Sequence, residues 1–131
     1  MALYYGTKKI GLATTDPLQL IASPLDTIKT SEIFQFFDRY LQVELVDCLV
    51  VGQPVHKDGN PTFLEPHIVG FIRQFQKKYP KIEIARQDEF LSSQMAKEII
   101  QKTVHKKKDR QDKGLVDQIS ACIILQDYLG F

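Results

Sequence analysis

At 131 residues the chain is the size of one domain and long enough to bury a core without disulfide or metal staples. With 25% charged and 44% apolar residues the composition is that of an ordinary soluble globular protein, and the formal net charge is +1. That charge excludes any global pull toward a polyanion, so anion binding must come from local patches. The two cysteines, Cys48 and Cys122, sit in apolar runs and match neither a disulfide framework nor a zinc site. No signal peptide or membrane-spanning stretch is visible, and a cytoplasmic protein is expected.

In chain order, Leu3–Tyr5 and Lys9–Thr14 read as short strands joined by a turn at Gly6-Thr-Lys8. Asp16-Pro17 breaks the chain, and Asp16 is expected to accept local amide hydrogen bonds there. A third extended segment, Leu20–Ile28, is interrupted by Pro24. Thr30 or Ser31 is placed to cap a helix running to about Leu41, with Ile33, Phe34, Phe37, Tyr40 and Leu41 inward. Cys48–Val51 is a continuous apolar run, the pattern of a strand buried on both faces, and Gly52-Gln-Pro54 ends it. A second helix is expected over Thr62–Tyr79 with Ile68, Phe71, Ile72 and Phe75 inward. Pro80 stops it. Ile82–Ala85 then reads as another buried strand, Ser92–Thr103 as a helix, Lys102–Lys113 as a basic loop and Leu115–Leu129 as the closing helix. Three hairpin-linked strands followed by alternating helix and strand predict an α/β fold: a mixed sheet of about five strands with helices on both faces.

The closing helix carries Asp117 on its apolar side, above Ala121, Ile124, Leu125 and Tyr128 at helical spacing. A desolvated carboxylate must be paired, hydrogen-bonded or metal-bound, although an acid in a first turn can also serve only the helix dipole. Glu89 follows the carboxyl end of a predicted strand, where open α/β sheets place their ligand sites. Asp88 beside it is a second candidate ligand or the cap of the next helix. Lys8 and Lys9 lie on the first turn, where Gly6 permits close backbone approach to a phosphate. Lys106, Lys107, Lys108, Arg110 and Lys113 form the one dense basic run, and nucleic-acid contact is expected of it; Asp112 within it reads as solvated. His56, His67 and His105 have no zinc-ligand spacing, and Phe34, Phe37, Phe71 and Phe75 recur at core periodicity.

Seven blocks in order carry a resemblance. They are Tyr5-Gly-Thr-Lys-Lys-Ile-Gly11, Thr15-Asp-Pro-Leu18, Ser23-Pro-Leu-Asp-Thr-Ile28 and Val50-Val-Gly-Gln-Pro54, then Asp88-Glu-Phe-Leu-Ser-Ser93, Lys107-Lys-Asp-Arg-Gln-Asp-Lys113, and Val116-Asp-Gln-Ile-Ser-Ala121 with Ile124-Leu-Gln-Asp-Tyr-Leu129. Across essentially the whole chain the series resembles the YqgF/RuvX family. That family has a ribonuclease H-like fold and is described as Holliday junction resolvases and as nucleases maturing the 5′ end of pre-16S ribosomal RNA. The resemblance implies a metal-dependent nuclease whose carboxylates hold Mg²⁺ or Mn²⁺ to orient a water and neutralise the leaving oxygen. Two of the family's three acids carry over, to Glu89 and Asp117, as the catalytic and metal-binding residues. The first falls on Tyr4, and a neutral phenol is a poor ligand for a hard divalent ion. Phe90 stands where the family has Arg, removing a planar phosphate-gripping cation. Metal binding is therefore expected to be weak or absent with Tyr4 in place, and the alternative is a catalytically impaired module binding nucleic acid or a pre-ribosome. Precursor rRNA or branched DNA, a ribosome precursor, and a second copy for symmetric junction cutting are the implied partners, with no membrane. A nucleotide-binding enzyme of the actin-like kind ranks last, because one small domain has no second lobe to enclose ATP.

Overall fold

The computed structural model describes residues 1–16, 21–54, 62–88 and 113–130. Strands β1 (Ala2–Tyr4), β2 (Lys9–Thr15), β3 (Ala22–Lys29), β4 (Cys48–Gln53) and β5 (Glu83–Asp88) form one sheet in the order β3-β2-β1-β4-β5. β1, β2 and β3 are antiparallel neighbours, whereas β1–β4 and β4–β5 are parallel, so the sheet is mixed as expected. Pro24 has no amide to donate and lies in β3, at the end of the strand order, where the ladder tolerates it. A register shift follows from the same residue's neighbourhood: Leu12 pairs with Asp26 but Ala13 with Pro24, leaving Leu25 as the extra residue.

Alternation divides the sheet into two faces. Leu3, Ile10, Leu12, Leu49 and Val51 pack with Ile33 and Phe37 of α1 (Ile33–Val43) and Ile68, Phe71 and Phe75 of α2 (Glu65–Lys78). The Phe37 and Phe75 rings meet edge to face at 5.1 Å between centroids, a favoured arrangement that knits the two helices. Lys78 and Tyr79 both reach Asp38 from the far end of α2, closing the same seam at the surface. The opposite face is lined by small residues, Ala2, Ala13 and Ala85, with Val50, and receives Ala121, Cys122, Ile124 and Leu125 of α3 (Lys113–Leu129). Burial pushes the Cys122 thiol up to about 11, keeping it protonated in this layer. Among the described residues no helix is long and apolar enough to cross a membrane.

Several expectations are corrected in detail. Neither Thr30 nor Ser31 caps α1 with its side chain: Thr30–Glu32 is a 3₁₀ turn, and the Thr30 hydroxyl instead donates to the Gly6 carbonyl at 2.7 Å. The first hairpin thus takes the hydrogen bond that a helix start would have used. α2 begins at Glu65 rather than Thr62, because Thr62 forms a turn that accepts from the Leu64 and Glu65 amides. β5 runs Glu83–Asp88 and is half-buried rather than buried throughout, as befits a strand with one neighbour in the sheet. α3 starts at Lys113, two residues earlier than expected, which places Asp117 beyond its first turn. The expected helix over Ser92–Thr103 lies outside the described residues.

Candidate functional site

The first turn sets the site's geometry. Gly6 is required there, since a Cβ would stand 2.5 Å from the Lys9 carbonyl oxygen. The Thr30 amide donates to the Lys8 carbonyl at 2.9 Å, so the turn is fastened to the end of β3. Beyond it Tyr4 pairs with Gly11, and Gly11 with Thr27, giving one row of residues across β1, β2 and β3 on the face that α3 covers.

α3 lies on that row backbone to backbone. A Cβ at Gly11 would overlap the Asp117 carbonyl and stand 2.8 Å from the Asp117 Cβ. Only glycine admits this approach. One residue along, the Gln118 side-chain amide donates to the Thr27 hydroxyl at 3.1 Å, fixing the helix in rotation and register. The consequence is that Asp117 and Tyr4, 113 positions apart in the chain, flank the same glycine. Asp117 is half-buried and outside the first turn, so service to the helix dipole no longer accounts for it.

The carboxyl ends of the parallel strands open on the same edge as Tyr4. Gln53 ends β4 and pairs with Asp88, the exposed last residue of β5, so Asp88 belongs to the strand. Glu89 follows Asp88 directly in sequence and lies outside the described residues, as do Phe90, Lys106, Lys107, Lys108, Arg110 and Asp112. Lys113 is the first residue of α3. Lys8 and Lys9 are exposed at the start of β2. Asp16 accepts from the Ile21 amide at 2.8 Å, the local role expected of it. It follows Thr15 at the far end of β2, beyond the Ala2–Ala13 pair, and so cannot substitute for the acid missing at Tyr4.

Three further features escaped the sequence reading. Arg86 of β5 forms a 2.7 Å ion pair with Glu65 in the first turn of α2. The same guanidinium donates to the Val51 and Gly52 carbonyls at 3.3 and 3.2 Å, bracing the carboxyl end of β4. Lys29 pairs directly with Lys9. Gly11 is the third, and its only signal in the sequence is a glycine within a strand, which marks close backbone approach without naming the partner.

A hard cation of the Mg²⁺ class takes oxygen ligands, carboxylates foremost. Among the described residues no three His, Cys, Asp or Glu side chains come together. With a phenol beside Gly11, the described residues do not complete a three-carboxylate cage.

The family model described as "RuvX: Holliday junction resolvase" matches residues 1–130. A protein of Christiangramia forsetii named "Putative pre-16S rRNA nuclease" is 45% identical over 129 residues, covering 98% of this chain and 96% of its own. Proteins of the same name from Flavobacterium johnsoniae and Phocaeicola vulgatus are 40% and 41% identical, covering 99% and 98% of this chain and 94% and 93% of theirs.

Proposed function

The chain belongs to the RuvX family, and from that premise we propose that it acts on structured nucleic acid as a nuclease, with precursor 16S rRNA as the substrate. The observation that carries this reading is the seating of Asp117 on Gly11 beside Tyr4. It sets an acid over the first hairpin, on the sheet edge where β1, β4 and β5 end, and Glu89 is the residue after β5 in sequence. Asp117 and Glu89 are the proposed catalytic carboxylates, and both offer the oxygen donors that Mg²⁺ or Mn²⁺ requires. Lys8, Lys9 and the basic run of Lys106, Lys107, Lys108, Arg110 and Lys113 supply the phosphate attraction that a polyanionic substrate calls for.

Tyr4 favours a second reading. The site is one carboxylate short of the family's set, and the same surface can hold RNA or a ribosome precursor without cutting it. The two readings separate in one assay: Mn²⁺-dependent cleavage of an RNA carrying the 5′ extension of precursor 16S rRNA. The nuclease reading predicts cleavage that Asp117→Asn abolishes and Tyr4→Asp raises at least about tenfold, since even partners of a metal's ligands change activity on that scale. Salt-sensitive binding with no cleavage by the wild type or by Tyr4→Asp would establish the binding module instead. Cleavage that survives Asp117→Asn would remove Asp117 from the site.

A further inference from the structure

The pairing of β2 with β3 puts two lysines opposite each other. Lys9 and Lys29 are register partners, followed inward by Ile10 with Ile28 and Gly11 with Thr27. Side chains alternate along a strand, so Lys9 shares the face of Gly11 and Lys29 that of Thr27. This is the face on which Asp117 and Gln118 of α3 rest. α3 lies mainly across β2 and β3, and its chain runs from Gly11 toward Ala13 and Ala2. The lysine pair is therefore the next same-face pair beyond Gly11–Thr27, at the end where the helix begins. Strand spacing sets it about 7 Å from the Asp117 contact.

Like charges directly opposite in an antiparallel pair destabilise it. Both lysines are exposed, and the side chain of neither forms an ion pair or a hydrogen bond among the described residues. The strand ends cannot simply splay apart to relieve the repulsion. Thr30, next to Lys29, is tied to the first turn by two hydrogen bonds, from its amide to the Lys8 carbonyl and from its hydroxyl to the Gly6 carbonyl. Two lysines on anchored strand ends, on one face and a single pair away from the candidate acid, are suited to an anion that bridges them.

We propose that Lys9 and Lys29 form a backbone-phosphate seat that holds a nucleic-acid strand across the β2–β3 end of the site, next to Asp117. The inference rests on the nucleic-acid reading above and adds Lys29, a residue outside the sequence motifs. The contact is to the phosphodiester backbone, which RNA and DNA share; it fixes position and carries no base preference.

The test is fluorescence anisotropy across a salt series with two probes, an RNA hairpin bearing a single-stranded 5′ extension and a four-way DNA junction. Each of Lys9→Gln and Lys29→Gln should lower the slope of log K against log salt, by about 0.7 on single strands or about 0.9 on duplex. The double variant should lose about twice that, on whichever probe the wild type binds. Lys29→Arg should retain the slope, and Lys81→Gln, an exposed lysine before β5 at the opposite end of the sheet, should leave it unchanged. Lys29→Gln should meanwhile unfold at the same or a higher temperature, because the repulsion is gone. A double variant that keeps the wild-type slope overturns the seat and leaves the nuclease reading standing. A wild type that binds neither probe overturns both.

Discussion

Gly11 decides what Asp117 can do. A carboxylate on an apolar helix face is legible in sequence, because its spacing to Ala121, Ile124 and Leu125 is a local periodicity. What lies under it is not, since the partner is in the first hairpin and the contact is backbone to backbone. The same holds for Lys29, whose significance comes from its register with Lys9 and not from any motif. Tyr4 is the reverse case: the family resemblance implies its place in the acid set, and the fold adds that it stands beside Gly11. Gly11→Ala should therefore destabilise the protein by about 1–3 kcal/mol, the usual cost of forcing atoms into a filled interface. Urea denaturation checks this. A loss below about 0.5 kcal/mol, the level of an indifferent surface change, would mean that α3 does not rest on Gly11.

At the scale of elements, periodicity foretold what burial decides and failed where hydrogen bonds compete. The inward residues of α1 and α2 came out as read, with Phe37, Ile68, Phe71 and Phe75 buried. The start of α1 did not, because Thr30 spends its hydroxyl on the hairpin rather than on a cap. The Arg86–Glu65 pair was equally hidden: a strand residue and a helix residue 21 positions apart meet only once β5 has docked beside β4. Phe37 is 1% exposed and touches Phe36, Phe71, Phe75 and Tyr79, so it joins both helices of its layer. Phe37→Ala should cost about 3–5 kcal/mol, measured by the same denaturation. A loss under about 1 kcal/mol would show that the layer closes over the gap and that this ring does not anchor it.

For the whole molecule, a net charge of +1 conceals an uneven distribution. Lys8, Lys9 and Lys29 gather at the end of the sheet where α3 begins. Asp16, Glu44 and Asp47 line a groove at the opposite end, beside Cys48 and Tyr128. Lys78 and Lys81 lie beside Glu44 and Asp47, so attraction of a polyanion rests on the local lysine cluster and not on a charged end of the molecule. The order β3-β2-β1-β4-β5 then does the rest, bringing the β1 end, the β5 end and the α3 start to one edge from distant parts of the chain. On the proposed reading the chain keeps Glu89 and Asp117 of the family's acids and departs from the family at Tyr4 and Phe90. Titration of Mn²⁺ against the wild type, Tyr4→Asp and Asp117→Asn, followed by water-proton relaxation, tests this most directly. Affinity should rise at least about tenfold in Tyr4→Asp as a carboxylate is added, and fall away in Asp117→Asn. Equal Mn²⁺ affinity in all three proteins would contradict it.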